Sequence, residues 1–178
     1  MNLFLRAKHW QIFTLIFGSI ILSDLVIVFS AFFNLLYLAT YFGWIYSLAI
    51  EMQKMVSATV KMKVIPFKIF FFIPTIYIVL ILVVTEFFSK SFGDPFFGPY
   101  GAIVWPVHLI SMFCMLYCFY FVAKTIKTVE LQSAVTFGDF FLEFLLVWFF
   151  PIGLWILQPR INKLIELNAN SSEDVVTE

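Results

Sequence analysis

Residues 12–50 read IFTLIFGSIILSDLVIVFSAFFNLLYLATYFGWIYSLAI, and the one charged side chain in that run is Asp24. Apolar stretches of 18 or more residues are what a hydrocarbon core about 30 Å thick selects, so the run predicts membrane helices rather than the core of a soluble domain. As a single helix, residues 10–53 would extend about 66 Å at 1.5 Å per residue, roughly twice that thickness. The run must therefore fold back. Asn34 is the turn-prone residue nearest its middle, which predicts helices over 10–30 and 35–53.

Working outward, the connection after residue 53 is polar and basic, with Lys54, Lys61, Lys63 and Lys68 against Glu51. A third helix is predicted over 67–88, with Pro74 in its second turn. A loop rich in glycine and proline follows, and its Phe96, Phe97 and Tyr100 suit a membrane interface, where amphipathic rings settle. A fourth helix is predicted over 105–123, opened by Pro106, where a missing N–H costs little. The last apolar segment, 140–158, holds Pro151 and Gly153 at its centre, and either spans as a broken helix or dips in and returns. Beyond Pro159, Ile161, Leu164 and Ile165 fall on one face and predict a short amphipathic helix lying on the interface. The sequence thus reads as all-α: a polytopic membrane helix bundle of about five segments forming one domain over 1–167. Residues 168–178 read as a disordered polar tail.

Composition agrees. Hydrophobic residues make up 62% and charged residues 12% of the chain, whereas soluble domains hold about half and a quarter. Eleven basic residues balance eleven acidic ones, so no basic excess exists to bind nucleic acid. The partner called for by this composition is the lipid bilayer, together with other membrane proteins or a second copy of the chain. No small-x-small cleavage site follows Arg6 and Lys8, so the first segment is expected to remain as an anchor. Arg6, Lys8, Lys54, Lys61, Lys63, Lys68, Lys124 and Lys127 fall on one side in a five-span topology, leaving Lys90, Arg160 and Lys163 on the other. The positive-inside rule makes the first side, with the N-terminus, cytoplasmic. A re-entrant last segment would move Arg160 and Lys163 to that side too.

Several blocks together resemble a group of small multi-pass bacterial inner-membrane proteins of unassigned function: "LRAKHWQIF", "YFGWIYSLAIEMQ", "KMKVIPFKIFFFIP", "MFCMLYCFYFVAKTIKTVELQ" and "FFPIGLWILQPRINK". The resemblance covers most of the chain up to Lys163, and its last two blocks are the distinctive ones. It implies a multi-pass protein of the bacterial inner membrane. It brings no activity and no site residues.

Polar residues inside apolar segments are few, which makes each a candidate. A carboxylate at the centre of a spanning helix costs about 2.5–3.5 kcal/mol on insertion scales, so Asp24 should face protein or water. It is either an ion or proton site or a protonated acid bonded to Ser23, Ser30 or a neighbouring helix. Glu86 and His108 are expected level with each other near the outer rim, as a mutually satisfied pair or, with Asp24, as an ion or ligand cluster. Cys114 and Cys118 share a helix face at i, i+4, which suits packing better than a metal site wanting four ligands. Asp139 and Glu143 open the last segment on one helix face at i, i+4; paired carboxylates can do acid–base work, but the dipole at a helix start favours negative charge without any function. Lys54, Lys61, Lys63 and Lys68 would attract anionic headgroups by about 1 kcal/mol each.

No catalytic residues, metal motif or cofactor signature emerges, which argues against an enzyme. The expected role is an accessory or scaffold subunit. The alternative is a small oligomeric proton- or ion-coupled transporter using Asp24.

Overall fold

The computed structural model describes residues 3–88, 98 and 101–177, and all its regular structure is helical. A single turn, α1 (Leu3–Arg6), leads into α2 (His9–Leu25). A 3₁₀ turn at Ile27–Phe29 joins α2 to α3 (Ser30–Met52). A connection over 53–63 leads to α4 (Val64–Val83), which runs on into a π-helical turn, Val84–Phe88. Then come α5 (Gly101–Leu131), α6 (Phe137–Trp148) and α7 (Phe150–Thr177). Among the described residues, three helices are long and apolar enough to cross a membrane: Ile27–Met52, Val64–Glu86 and Gly101–Leu131. His9–Leu25 is apolar and shorter.

The first fold-back falls at Val26–Phe29 and not at Asn34. Val26, Ile27 and Val28 form a run of β-branched side chains, whose stiff χ1 angles crowd a helical turn. There the backbone leaves the helix, with Val26 at φ −117°, ψ 73°. Asn34 stays helical because its side-chain amide is engaged across the bundle, bonded to Glu86 at 2.9 Å. An asparagine breaks helices by bonding its own backbone, and this one is otherwise occupied.

The long α5 also departs from the expected 105–123. It starts at Gly101, so Pro106 lies inside the helix rather than at its opening. It continues past Lys124 because its polar residues find partners on the helix itself. Thr125 and Thr128 donate to the carbonyls of Phe121 and Lys124, both at 2.8 Å, and Lys127 pairs with Glu130 at 3.2 Å. The end comes at Gln132, a non-glycine at φ 48°, a conformation that costs about 1–2 kcal/mol for an L-residue. Its side chain compensates by donating to Val129 O (2.9 Å) and Met55 O (3.1 Å) and accepting from the Ser57 N–H (3.2 Å). The same bonds tie the end of α5 to the 53–63 connection.

The last segment is divided as expected, immediately before Pro151. The helix α6 stops at Trp148, and the carbonyl of Phe149 then accepts from Ile152 (3.1 Å) and Gly153 (3.0 Å) as the start of α7. Pro151 sits in the first turn of α7, where its missing N–H has no partner to lose. The two helices fold back on each other so closely that a Cβ on Gly153 would run into the carbonyl oxygen of Leu146. Two expectations fail beyond this point. Pro159 lies within a continuous α7, so no separate interfacial helix follows it, and Ile161 and Ile165 are buried in the bundle core. The helix also runs to Thr177, through the stretch read as a disordered tail.

The core occupies one end of the bundle. The fully buried Trp44, Met52, Phe67, Ile126, Leu154 and Leu157 all lie toward the 53–63 connection. This is the basic end. At the far end, Leu25, Ile27, Val28, Phe29 and Phe32 are exposed around the first turn.

Candidate functional site

Asp24 is the penultimate residue of α2 and is exposed. It therefore sits near the far end, one turn below the fold-back, rather than mid-helix as the 10–30 reading implied. Glu86 is also exposed, on the π-helical turn, and its carboxylate accepts from Asn34 Nδ2 (2.9 Å) and Ser30 Oγ (3.2 Å). His108 is half-buried on α5, with its Nδ1 at 3.2 Å from the hydroxyl of Tyr77. Among the described residues, no hydrogen bond or ion pair joins Asp24, Glu86 and His108 to one another. Glu86 is bonded to α3 and His108 to α4, while Asp24 is exposed. Phe96, Phe97 and Tyr100, the expected interface loop, lie outside the described residues.

The charges that do converge are at the basic end. Glu143, on the inner face of α6, is 2% exposed. Its Oε1 accepts from Arg160 Nη2 of α7 at 2.8 Å and from Lys127 Nζ of α5 at 3.4 Å. Arg160 also donates to Glu130 Oε1 through Nη2 (2.6 Å) and Nε (3.1 Å), and Lys127 reaches Glu130 Oε2 at 3.2 Å. Two cations and two carboxylates from three helices thus form one neutral network. Glu143 is the buried member, and stripping its cations would strand a buried charge at a cost of about 3–5 kcal/mol. Glu143 Oε2 is buried with no hydrogen-bond partner among the described residues.

The network corrects the reading of Asp139 and Glu143 as an equivalent pair at a helix start. Only Asp139 serves the helix terminus. It is exposed, and its Oδ2 accepts from the backbone N–H of Thr136 (2.7 Å) and from the Thr136 hydroxyl (2.8 Å). Those two bonds hold its carboxyl below the usual 3.8. A lowered folded-state value means that the stabilisation is complete above the ordinary carboxyl range and fades as pH falls through the lowered value.

Uncharged polar groups complete the basic end. Gln158 of α7, fully buried, accepts from Trp44 Nε1 of α3 at 2.8 Å and donates to the carbonyls of Phe4 (3.0 Å) and Ala7 (2.9 Å). Gln53, also buried, donates to Thr125 of α5 at 2.9 Å and accepts from the Met62 N–H at 3.1 Å. Around them, Lys61, Lys63 and Lys68 are exposed, while Lys54 is bound to Glu51 at 2.7 Å and so is partly neutralised. Cys114 and Cys118 are buried free thiols. No group of three or more His, Cys, Asp or Glu placed to hold a metal ion occurs among the described residues.

Sequence reading missed Ser30 and Asn34 as the partners of Glu86, and Glu130 and Arg160 as partners of Glu143. For Glu143 a signal existed. A carboxylate flanked by "DFFL" and "FLLVW" needs an opposite charge, and Lys127 and Arg160 are the nearest strong bases on either side in sequence. For Asn34 none existed, because its partner lies more than fifty residues away in sequence. No family model, curated protein or solved structure matches the chain, and the residues above carry its functional reading by themselves.

Proposed function

We propose that the chain is an integral membrane protein acting as an accessory or scaffold subunit, with α2 to α5 crossing the bilayer and α6–α7 entering from the basic side and returning to it. The observation that carries this is the placement of polarity: apolar side chains line the outside of the bundle, and ion pairs and amides are turned inward. Ile69, Phe72, Ile76 and Leu80 on α4 are exposed, as are Ile103, Leu109, Ile110 and Phe113 on α5. Water would penalise so large an apolar face, whereas lipid or a partner helix matches it.

Re-entry rests on length and on the ion network. The 12 residues of α6 rise about 18 Å, little more than half of a 30 Å hydrocarbon core. Arg160 then meets Glu130 and Glu143 beside the end of α5. This reading puts both termini on the basic side, which the positive-inside rule makes the cytoplasmic face of a bacterial inner membrane. The transporter alternative asked for Asp24 inside the bundle, and its carboxylate is exposed.

Single cysteines at Ser57, Leu167 and Val28, probed from each side with an impermeant maleimide, test the topology. Ser57 and Leu167 should label from one side and Val28 from the other. Labelling of Leu167 from the side of Val28 would overturn re-entry. The accessory role predicts a stoichiometric membrane-protein partner after cross-linking in native membranes, and recovery of the chain as an unpartnered monomer would exclude it.

A further inference from the structure

We infer that the groove between the far halves of α3 and α4 binds a phospholipid whose headgroup carries an ammonium, with Glu86 taking the ammonium and the groove taking part of an acyl chain. The groove encloses about 260 Å³, and Leu38, Ile78, Ile81 and Leu82 give it an aliphatic wall. That is below the roughly 300–1,000 Å³ of ordinary small-molecule pockets and suits a segment of chain rather than a ring system. Asn34 lines the groove and at the same time holds Glu86 at its head.

Charge selects the occupant. Glu86 is met by two neutral donors, Asn34 Nδ2 and Ser30 Oγ, and no cation pairs with it among the described residues. Thr85, beside it in the groove wall, spends its hydroxyl on the carbonyls of Ile81 and Leu82, both at 2.9 Å. Among the described residues this negative charge, next to hydrocarbon, has no cation to balance it, and a carboxylate has lone pairs to spare for one from outside. A compact ammonium with three donors fits that demand. A hard metal cation wants six or more oxygen ligands, and one carboxylate with an amide and a hydroxyl falls short. The carboxylate is displayed on a π-helical turn, an irregularity that recurs where helices carry binding groups.

This inference rests on the membrane reading above, but its test works in detergent and stands apart from the topology. Thermal unfolding of the purified chain is followed while short-chain phospholipids of identical acyl length are titrated in, one with an ethanolamine headgroup and one with a glycerol headgroup. The ethanolamine lipid should bind about tenfold more tightly, the scale of one charge-assisted hydrogen bond. Glu86→Gln should erase that preference. Leu82→Trp, which fills the groove and leaves the carboxylate intact, should weaken both lipids alike. Equal affinity for the two lipids in the unmodified chain would overturn the inference, even if neither variant folds. So would a preference that survives Glu86→Gln.

Discussion

At the basic end, α7 presses Leu154, Leu157 and Ile161 against Trp44 and Met52 with none of them more than 1% exposed, whereas at the far end Ile27 and Val28 stand 79% and 88% exposed. Both ends are apolar in sequence, so hydrophobicity does not separate them. The α6–α7 hairpin does, because it packs against α5, α3 and α2 only on the basic side. Where it reaches, side chains close around buried amides and ion pairs. Beyond its tip, Glu86 is bonded to Ser30 and Asn34 of α3, and His108 to Tyr77 of α4. On the membrane reading proposed above, apolar burial by itself drives little helix association, and packing and polar bonds decide it. The closed end has both.

That contrast can be broken at the closed end. Arg160→Met removes the guanidinium from Glu143 and Glu130, leaves Lys127 alone to offset both carboxylates, and should destabilise the bundle toward the lower end of the roughly 3–5 kcal/mol that breaking a buried ion pair costs. Unfolding titrated with SDS in mixed micelles measures it, and adding Glu130→Leu, which leaves the neutral pair Lys127–Glu143, should restore much of the loss. A cost below about 1 kcal/mol would mean that the network does not hold the hairpin.

Gly153→Ala should be the next most damaging change. Its methyl would meet the Leu146 carbonyl, which is backbone and cannot swing aside, so α6 and α7 must separate. Overpacking of this kind costs about 1–3 kcal/mol or somewhat more. The opening should also expose Cys118, now buried, to a membrane-permeant maleimide. Wild-type stability with unchanged thiol protection would refute the close crossing.

Gln158→Leu cuts the bond to Trp44 and removes the amide that donates to the Phe4 and Ala7 carbonyls. Interhelical bonds in membrane proteins average about 0.6 kcal/mol, with a maximum near 1.7, and this buried one should lie toward the upper figure. Asn34→Ala at the far end also removes an interhelical bond, but from a half-buried amide to an exposed carboxylate. Its cost should stay at or below about 0.6 kcal/mol. If the two variants cost the same, the closed and open ends are equivalent in energy despite their different burial.

The long apolar runs, the basic connection at 53–63 and the break before Pro151 were legible because each follows from residues close together in the chain. Local chemistry suffices there. At Val26, Ile27 and Val28 a β-branched run competes with Asn34 as a turn signal, and the bond of Asn34 to Glu86 explains why the asparagine is helical. The amphipathic face of Ile161, Leu164 and Ile165 was read correctly as a face and assigned to the wrong neighbour, because periodicity tells which residues lie together and not what covers them.

From the sequence alone come the helical class, the apolar segments and the scarcity of charge. Tertiary structure alone decided which scarce charges meet. Asp24, Glu86 and His108 appeared level enough to cluster and are spent on separate neighbours or left exposed, while Lys127, Glu130, Glu143 and Arg160, scattered over linker and helix ends, converge. The physical reason is rotation and depth. Each residue turns a helix face by about 100° and advances it by 1.5 Å, and the register between helices depends on packing that no single segment specifies.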